Sequence, residues 1–166
     1  PYSASKAATE IAISSWRSSF CNKLPNENLI ISSARSGNVI GGGDWSEDRI
    51  IPDIVSSLIK KRKISIRNPS SNRPWQHVLE PLNGYLILAE RLYELSSSDD
   101  YEEFNFGPNI CSNKTVLDLV EEVFKYWPGE FVINIDDDNF HEAAKLNLQV
   151  DKAYHLLNWS SKWNFE

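Results

Sequence analysis

Apolar residues recur along the chain at spacings that predict helices separated by short strands. Over residues 2–20 they recur every three or four positions, which predicts an amphipathic helix. The series consists of Ala4, Ala8, Ile11, Ala12, Trp16 and Phe20. The next apolar run, within residues 28–35, lacks this period and predicts a short buried strand.

The rest of the chain continues this alternation. The pattern predicts further helices at 50–61, 81–95, 113–127 and 151–159. Thr115, with Asp118 three positions on, predicts an N-cap close to a capping box in the third of these helices. It predicts strands or extended segments at 64–66, 75–79, 104–108 and 131–135. Turn-forming residues predict loops at 36–45, 67–74 and 96–103. Because the strands alternate with helices, we expect an α/β fold with a parallel sheet.

Composition and charge narrow the classes of function. Of the 166 residues, 41% are hydrophobic and the formal net charge is −6, which argues against non-specific binding to nucleic acid. No apolar run reaches the roughly 18 residues that cross a bilayer, and no signal peptide opens the chain. We therefore expect a cytoplasmic protein that binds neither nucleic acid nor membrane. Cys21 and Cys111 lack metal-ligand spacing and are expected to be reduced, buried thiols.

Tyr2 and Lys6 are the first candidate for chemistry. Four positions apart on a helix, they share one face. A lysine ammonium lowers the pKa of a nearby tyrosine, which could then take a proton from an alcohol near neutral pH. An ordinary pair on a helix surface has the same spacing, so the spacing alone leaves both interpretations open.

A glycine-rich loop follows the first predicted strand. Gly37, Gly41, Gly42 and Gly43 do not fit the dinucleotide fingerprint G-x-G-x-x-G. Consecutive glycines allow positive φ angles and close approach of a ligand. A mobile connecting loop explains them equally well.

Two arginines lie in the turn-rich segment 67–74. Arg67 and Arg73, near Trp75 and His77, could grip a diphosphate, because guanidinium groups match phosphate oxygens. Solvated surface arginines are the alternative. His141, in the acidic stretch 136–142, has no metal-ligand spacing, so we predict a solvated loop and no metal site.

Taken together, these stretches resemble a known family. "PYSASKAA" resembles the Tyr-x-x-x-Lys segment of extended short-chain dehydrogenases/reductases. "ARSGNVIGGGDWSEDRIIPD" and "IRNPSSNRPWQHVLEPLNGYLILAE" are similar to the CDP-glucose 4,6-dehydratases within that group. "FNFGP" and "HEAAKLNL" continue the resemblance, which runs from Pro1 to about Trp163.

The resemblance implies a particular architecture. It is the C-terminal part of a Rossmann-type doubly wound parallel sheet plus a small α/β substrate-binding domain. The remainder of the NAD-binding domain would comprise residues 1–45 and 76–107. The nucleotide-sugar binding domain would comprise residues 46–75 and 108–166.

The resemblance also implies a reaction. The family oxidises C4 of the sugar of CDP-glucose with NAD, removes water across C5 and C6, and returns hydride to C6. The product is a 4-keto-6-deoxy sugar nucleotide that feeds surface polysaccharides such as the O-antigen of lipopolysaccharide. Another nucleotide-sugar epimerase or dehydratase of the superfamily is the first alternative, and a non-catalytic nucleotide-sugar binding module is the second.

Residue roles follow from the same resemblance. Tyr2 would be the base at the C4 hydroxyl, and Lys6 would hydrogen-bond the nicotinamide ribose. Asn38 and Arg73 match diphosphate positions. The positions near the nucleotide are those of Arg49, Arg67 and His141.

Some features depart from the family pattern. Gln149 stands where the family usually has Asp, and Asn158 where it usually has Gly. The Gly-rich phosphate loop and the acid and base for dehydration belong to a family segment that precedes the tyrosine. We therefore expect these 166 residues to be part of a longer enzyme, inactive alone, and the intact protein to be a homo-oligomer.

Overall fold

The computed structural model describes residues 1–21, 29–95, 103–134 and 145–166. Within these ranges, the helices are α1 (Tyr2–Phe20), α2 (Ile50–Ile59), α3 (Leu79–Glu94), α4 (Val116–Tyr126) and α5 (Asp151–Leu157). The strands are β1 (Ser33–Ser36), β2 (Val39–Ile40), β3 (Ile64–Ile66), β4 (Asn72–Pro74), β5 (Gln76–His77), β6 (Glu103–Phe106), β7 (Asn113–Thr115) and β8 (Phe131–Ile133). A single 3₁₀ turn, Ile110–Ser112, precedes β7.

The strands associate in pairs, most of them parallel. In the described chain, β1 pairs with β6, β2 with β5 and β3 with β8 in parallel. β4 and β7 pair antiparallel, with Arg73 opposite Lys114. Helices alternating with parallel strand pairs confirm the expected α/β class. The sequence pattern does not predict the antiparallel pair, because it predicts a loop for residues 72–74 and a helix for 113–115.

The chain forms two compact units. The first unit comprises residues 1–36, 81–106 and 149–160, and the second comprises residues 37–80, 107–148 and 161–166. The assignment of cofactor and substrate domains made from the sequence concerns function and stays a prediction.

The first unit has an aromatic core. Phe104 and Phe106 of β6 pack with Trp159, and the rings of Phe106 and Trp159 meet edge to face at 5.0 Å. Helix α3 lies so close to this core that a Cβ on Gly84 would be 2.2 Å from Cδ1 of Phe106. Only glycine permits this approach, so the aromatic core fixes where α3 lies against β6.

The second unit has an aliphatic core. Its buried members come from α2, β3 and α4, and they are Ile54, Leu58, Ile64, Ile66 and Val120. Helix α4 begins with a complete capping box: Thr115 Oγ1 accepts from the amide of Asp118, and Asp118 Oδ2 accepts from the amide of Thr115. This confirms the cap predicted from the sequence.

Several expectations need correction. Cys21 is buried but Cys111 is exposed, because it lies in the 3₁₀ turn outside both cores. The strand expected within 28–35 begins only at Ser33, and residue 28 lies outside the described ranges.

Asn158 ends α5 with a φ of +50°. Glycine, and sometimes asparagine, adopts this left-handed conformation at the end of a helix, which explains why Asn can stand where the family usually has Gly. None of the described helices combines the length and apolarity needed to span a membrane.

Candidate functional site

The first candidate pair lies at the start of α1. Lys6 Nζ lies 5.6 Å from the centroid of the Tyr2 ring, so the two side chains share a face, as their spacing predicts. Tyr2 is 74% exposed. Among the described residues, no hydrogen bond or ion pair engages the Tyr2 hydroxyl or the Lys6 ammonium. Both polar ends are therefore available to a ligand.

Polar contacts hold α1 beside β1. Glu10 Oε2 accepts a hydrogen bond from Ser33 Oγ at 2.9 Å, and Arg35 Nη1 lies 3.7 Å from Glu10 Oε1. Arg17 Nε donates to the Ile31 carbonyl at 3.0 Å. None of the residues of α1 is buried. The helix that carries Tyr2 is thus attached to its unit mainly through polar side chains.

Helix α1 also exposes large apolar side chains. Ile11 is 71% exposed, Trp16 58% and Phe20 52%. The rings of Trp16 and Phe20 lie 4.7 Å apart. Exposed apolar groups of this size are typical of a surface that another element covers.

The glycine loop contains Asn38 and lies in the second unit. Asn38 is half-buried, and its carbonyl accepts from the amide of Gln76 at 3.0 Å. A Cβ on Gly37 would lie 2.7 Å from Cγ of Pro74, and one on Gly41 would lie 2.8 Å from Cγ1 of Val78. These two glycines are explained by close packing of the chain. Only Gly43, among the described glycines, has a positive φ, of 83°.

Arg73 is buried within β4. The residue is 7% exposed, and its Nη1 donates to the carbonyl of Asn72 at 2.8 Å. Trp75 is also buried and donates from Nε1 to the Lys114 carbonyl at 3.0 Å. This placement excludes a solvated surface arginine at position 73. A guanidinium held this way is a fixed positive charge inside the second unit.

Arg67 and Arg49 both lie near carboxylates in the second unit. Arg67 follows β3 directly, and its Nη2 lies 3.1 Å from Oδ1 of Asp48. Arg49 is exposed at the N-cap position of α2. Arg67 is therefore an exposed arginine that already has an anionic partner.

The pKa values of two carboxylates around α2 are shifted in opposite directions. The Ser46 amide donates to Asp44, and this hydrogen bond holds the pKa of Asp44 below its ordinary value, with a smaller effect from the Arg49 charge. Burial raises the pKa of Asp53, and the charges of Asp48 and Glu47 add to this rise while Arg67 opposes it. We call Glu47, Asp48, Arg49, Asp53 and Arg67 the charged cluster.

His141 lies outside the described residues, as does the acidic run before it. Of the predicted substrate residues, the structure describes Asn38, Arg49, Arg67 and Arg73, and all four belong to the second unit. Within the described part of the chain, no three His, Cys, Asp or Glu side chains are grouped to hold a metal ion.

Sequence reasoning missed two features of the second unit. Asp48, the partner of Arg67, carried no recognisable signal. Glu80 is 5% exposed, and its carboxylate accepts from the amides of Lys162 and Trp163. It lies beside an open cleft of about 550 Å³, whose lining includes Trp75, His77, Leu119 and Trp163. A lone Glu after an apolar run gives no indication of such a contact.

Solved structures share the fold of this chain. A dTDP-glucose 4,6-dehydratase of Bacillus anthracis in complex with NAD matches with a TM-score of 0.74 and 20% identity, over 99% of this chain and 48% of that one. A UDP-glucuronic acid 4-epimerase of Bacillus cereus, in complex with UDP-glucuronic acid and NAD, matches with a TM-score of 0.79 and 16% identity, over 99% and 48%. The fold is the Rossmann-type α/β fold of NAD-dependent nucleotide-sugar dehydratases and epimerases, as expected.

By sequence, this chain is similar to a CDP-glucose 4,6-dehydratase. The enzyme of Salmonella typhimurium is 44% identical over 166 residues, which is 98% of this chain and 46% of that protein. This identity confirms the resemblance to CDP-glucose 4,6-dehydratases. The chain spans about half the length of the relatives it matches, and no protein-family model matches it.

Proposed function

We propose that this chain is part of an NAD-dependent lyase that dehydrates CDP-glucose to CDP-4-keto-6-deoxyglucose. The structural observation that supports this most is the Tyr2–Lys6 pair. The two side chains share a face of α1, with their polar ends available. A protein that merely binds a nucleotide sugar needs no proton acceptor here. The 44% identity to a CDP-glucose 4,6-dehydratase supports the choice of substrate.

The residues present fit the nicotinamide end of NAD. The exposed Lys6 ammonium can donate to a ribose hydroxyl, and the Tyr2 hydroxyl next to it can reach a sugar hydroxyl. NAD, when bound, supplies the acceptor and donor of hydride. The chain has no G-x-G-x-x-G sequence, so we assign to these residues no contact with the pyrophosphate of NAD.

Tyr2 performs the proton transfer in this proposal. Its phenolic oxygen accepts the proton of the sugar C4 hydroxyl as that carbon is oxidised. The C4 carbonyl is retained in the product, because hydride returns to C6. Lys6, whose ammonium lies beside the Tyr2 ring, holds the nicotinamide ribose in this proposal. The acid and base that remove water across C5 and C6 are not assigned to any residue of this chain.

The second unit supplies substrate contacts in this proposal. Asn38 and the buried Arg73 hold the diphosphate, and Arg49, Arg67 and His141 lie on the nucleotide side. The cofactor domain would include residues 1–45 and 76–107, and the substrate domain residues 46–75 and 108–166. Arg73 is the best supported of these, since a buried guanidinium is an oriented donor for phosphate.

Assembly and biological role belong to the same proposal. The exposed Ile11, Trp16 and Phe20 of α1 support a homo-oligomer, which light scattering on the protein at its natural length would test. A cytoplasmic location and a role in deoxysugar supply for surface polysaccharide follow from the proposed reaction.

Product analysis tests the proposed function. The protein at its natural length, with the sequence that flanks these residues, is incubated with NAD and a panel of CDP-, dTDP-, UDP- and GDP-glucose. We expect loss of one water from CDP-glucose, detected by mass spectrometry, and no conversion by residues 1–166 alone. A 4-epimerised product without loss of water would favour the epimerase alternative, whose relatives share this fold. Binding of CDP-glucose without conversion would favour the binding module.

A further inference from the structure

The less exposed side of α1 continues into the Tyr2–Lys6 pair. The structure describes every residue of α1, and of these only Glu10, Ile13 and Arg17 are half-buried, while the rest are exposed. Their three- and four-residue spacings place these three on one side of the helix. Lys6 precedes Glu10 by four positions, and Tyr2 precedes Lys6 by another four, so the candidate pair extends the same side by two turns.

Glu10 links this side of α1 to β1. Its two carboxylate oxygens have different partners: Oε2 accepts from Ser33 Oγ at 2.9 Å, and Oε1 lies 3.7 Å from Arg35 Nη1. Ser33 and Arg35 are two positions apart on one strand, so they belong to the same face of β1. Because the carboxylate is held at both oxygens, it fixes the rotation of the helix about its axis as well as its position along the strand.

The hydrogen bond from Ser33 is the stronger of the two contacts. Ser33 is 7% exposed, and a hydrogen bond to a charged acceptor is stronger than one between neutral groups. The Arg35 contact is longer and more exposed, so it adds less. Helix α1 has no buried apolar side chain to hold it in place. Arg17 donates to the Ile31 carbonyl about two turns farther from Tyr2 than Glu10 lies.

We propose that Glu10 is a positioning residue for the Tyr2–Lys6 pair, and that its contacts with β1 set the angle at which α1 presents both side chains. The inference rests on the proposed function, because it requires Tyr2 to transfer a proton. A shift of about 1 Å in a reacting group can slow a reaction about 100-fold. Glu10 therefore acts on the rate of the chemical step. It does not act on the binding of the diphosphate, which the proposed function assigns to the second unit.

Steady-state kinetics with NAD and CDP-glucose, on the protein at its natural length, test this proposal. Glu10→Ala removes both contacts, and we expect kcat to fall about 10- to 100-fold while KM changes less than about twofold. Glu10→Gln loses the charge but keeps an oxygen that accepts from Ser33, so its kcat should stay within about fivefold of that of the wild type. The losses from Glu10→Ala and Ser33→Ala should not add, because both substitutions break the same hydrogen bond.

Hydrogen exchange gives a readout that does not depend on activity. Amides of α1 should exchange faster in Glu10→Ala and at nearly the wild-type rate in Glu10→Gln, with α3 unchanged in both variants. Glu94→Ala is the matched control, because Glu94 pairs with Arg91 on α3, within the same unit, and has no assigned role. It should alter neither kcat nor the exchange of α1.

Different outcomes would refute the role of Glu10 and the proposed function. A wild type that converts no nucleotide-glucose would refute the proposed function. An active wild type with an equally active Glu10→Ala would refute only the positioning role of Glu10. Equal losses of kcat and CDP-glucose binding in Glu10→Ala, with a lower unfolding temperature, would also overturn that role, because they indicate general damage to the fold. Unchanged exchange of α1 in Glu10→Ala would show that Glu10 does not hold the helix, whether or not the enzyme is active.

Discussion

The two units present their candidate residues in opposite ways. In the first unit, Tyr2 and Lys6 lie on a helix without a buried residue, and their polar ends have no partner in the described chain. In the second unit, Arg73 is buried and Arg67 is paired with Asp48. A group that moves protons must reach its substrate, whereas cations that hold an anion are positioned by contacts that stabilise them beforehand. Exposure and burial are therefore both compatible with a site, according to the role of each residue.

The largest effect is expected where the comparison is most direct, at the exposed tyrosine. Tyr2→Phe removes the hydroxyl and keeps the ring, so kcat for CDP-glucose should fall about 10²- to 10⁴-fold. The Kd for CDP-glucose should change less than about twofold, since the proposed diphosphate contacts are in the second unit. Steady-state kinetics and calorimetry on the natural-length protein measure the two quantities.

Tyr93→Phe is the matched control for this substitution. Tyr93 is 93% exposed on α3, within the same unit, and has no assigned role. It should leave kcat unchanged. Parallel losses of kcat and binding in Tyr2→Phe would instead indicate a structural or binding role for Tyr2.

The next effect distinguishes the two cores. Gly84→Ala places a methyl group 2.2 Å from the buried Phe106 ring, and such overpacking costs about 1–3 kcal/mol. Gly129→Ala, in the second unit, meets Cδ2 of Leu58 at 2.5 Å and Cε1 of Phe124 at 3.0 Å, a less severe overlap than the one at Gly84. We expect the larger loss for Gly84→Ala, with faster hydrogen exchange in β1 and β6 and unchanged exchange in β3. Equal losses would show that the aromatic core is no less adaptable than the aliphatic one.

The cap of α4 offers a smaller change, confined to the second unit. Thr115→Ala removes the oxygen that accepts from the Asp118 amide, and a lost N-cap costs about 1 kcal/mol. Amides of α4 should exchange faster, and those of α3 should not. Thr115→Ser keeps the hydroxyl and should retain most of the stability. Slower or unchanged exchange in α4 would refute a stabilising cap.

The sequence predicted features that depend on neighbours along the chain. The bounds of α1 and the capping box at Thr115 follow from local spacing, and both are found in the structure. The β4–β7 pairing joins segments about 40 residues apart, and no local pattern indicates it. The Asp48–Arg67 pair depends in the same way on packing between α2 and β3. The burial of Arg73 was also hidden, because its turn-rich surroundings resemble an exposed loop.

The smallest effect tests the balance of charge in the charged cluster. Asp53 lies in the first turn of α2, where the helix dipole favours an anion. Burial nevertheless raises its pKa above the ordinary 3.8, and Asp48 and Glu47 add to the rise. The folded state therefore binds this proton more tightly than the unfolded chain. Stability from this group is present below pH 3.8 and is lost as pH rises through its folded pKa.

Asp53→Asn should consequently raise the unfolding temperature at pH 7, by less than about 2 °C because the group is largely solvated. Below pH 3 the difference should vanish, since the wild-type carboxyl is then protonated. Asp118→Asn provides the opposite sign, because the hydrogen bonds from Thr115 lower the pKa of Asp118, and its stabilising ionisation is lost on acidification. Thermal unfolding at pH 7 and pH 3 measures both. A lower unfolding temperature for Asp53→Asn at pH 7 would contradict this prediction. It would show that the attraction of the helix dipole for the Asp53 carboxylate outweighs the repulsion from Asp48 and Glu47, so that the charged cluster is less negative than its carboxylates suggest.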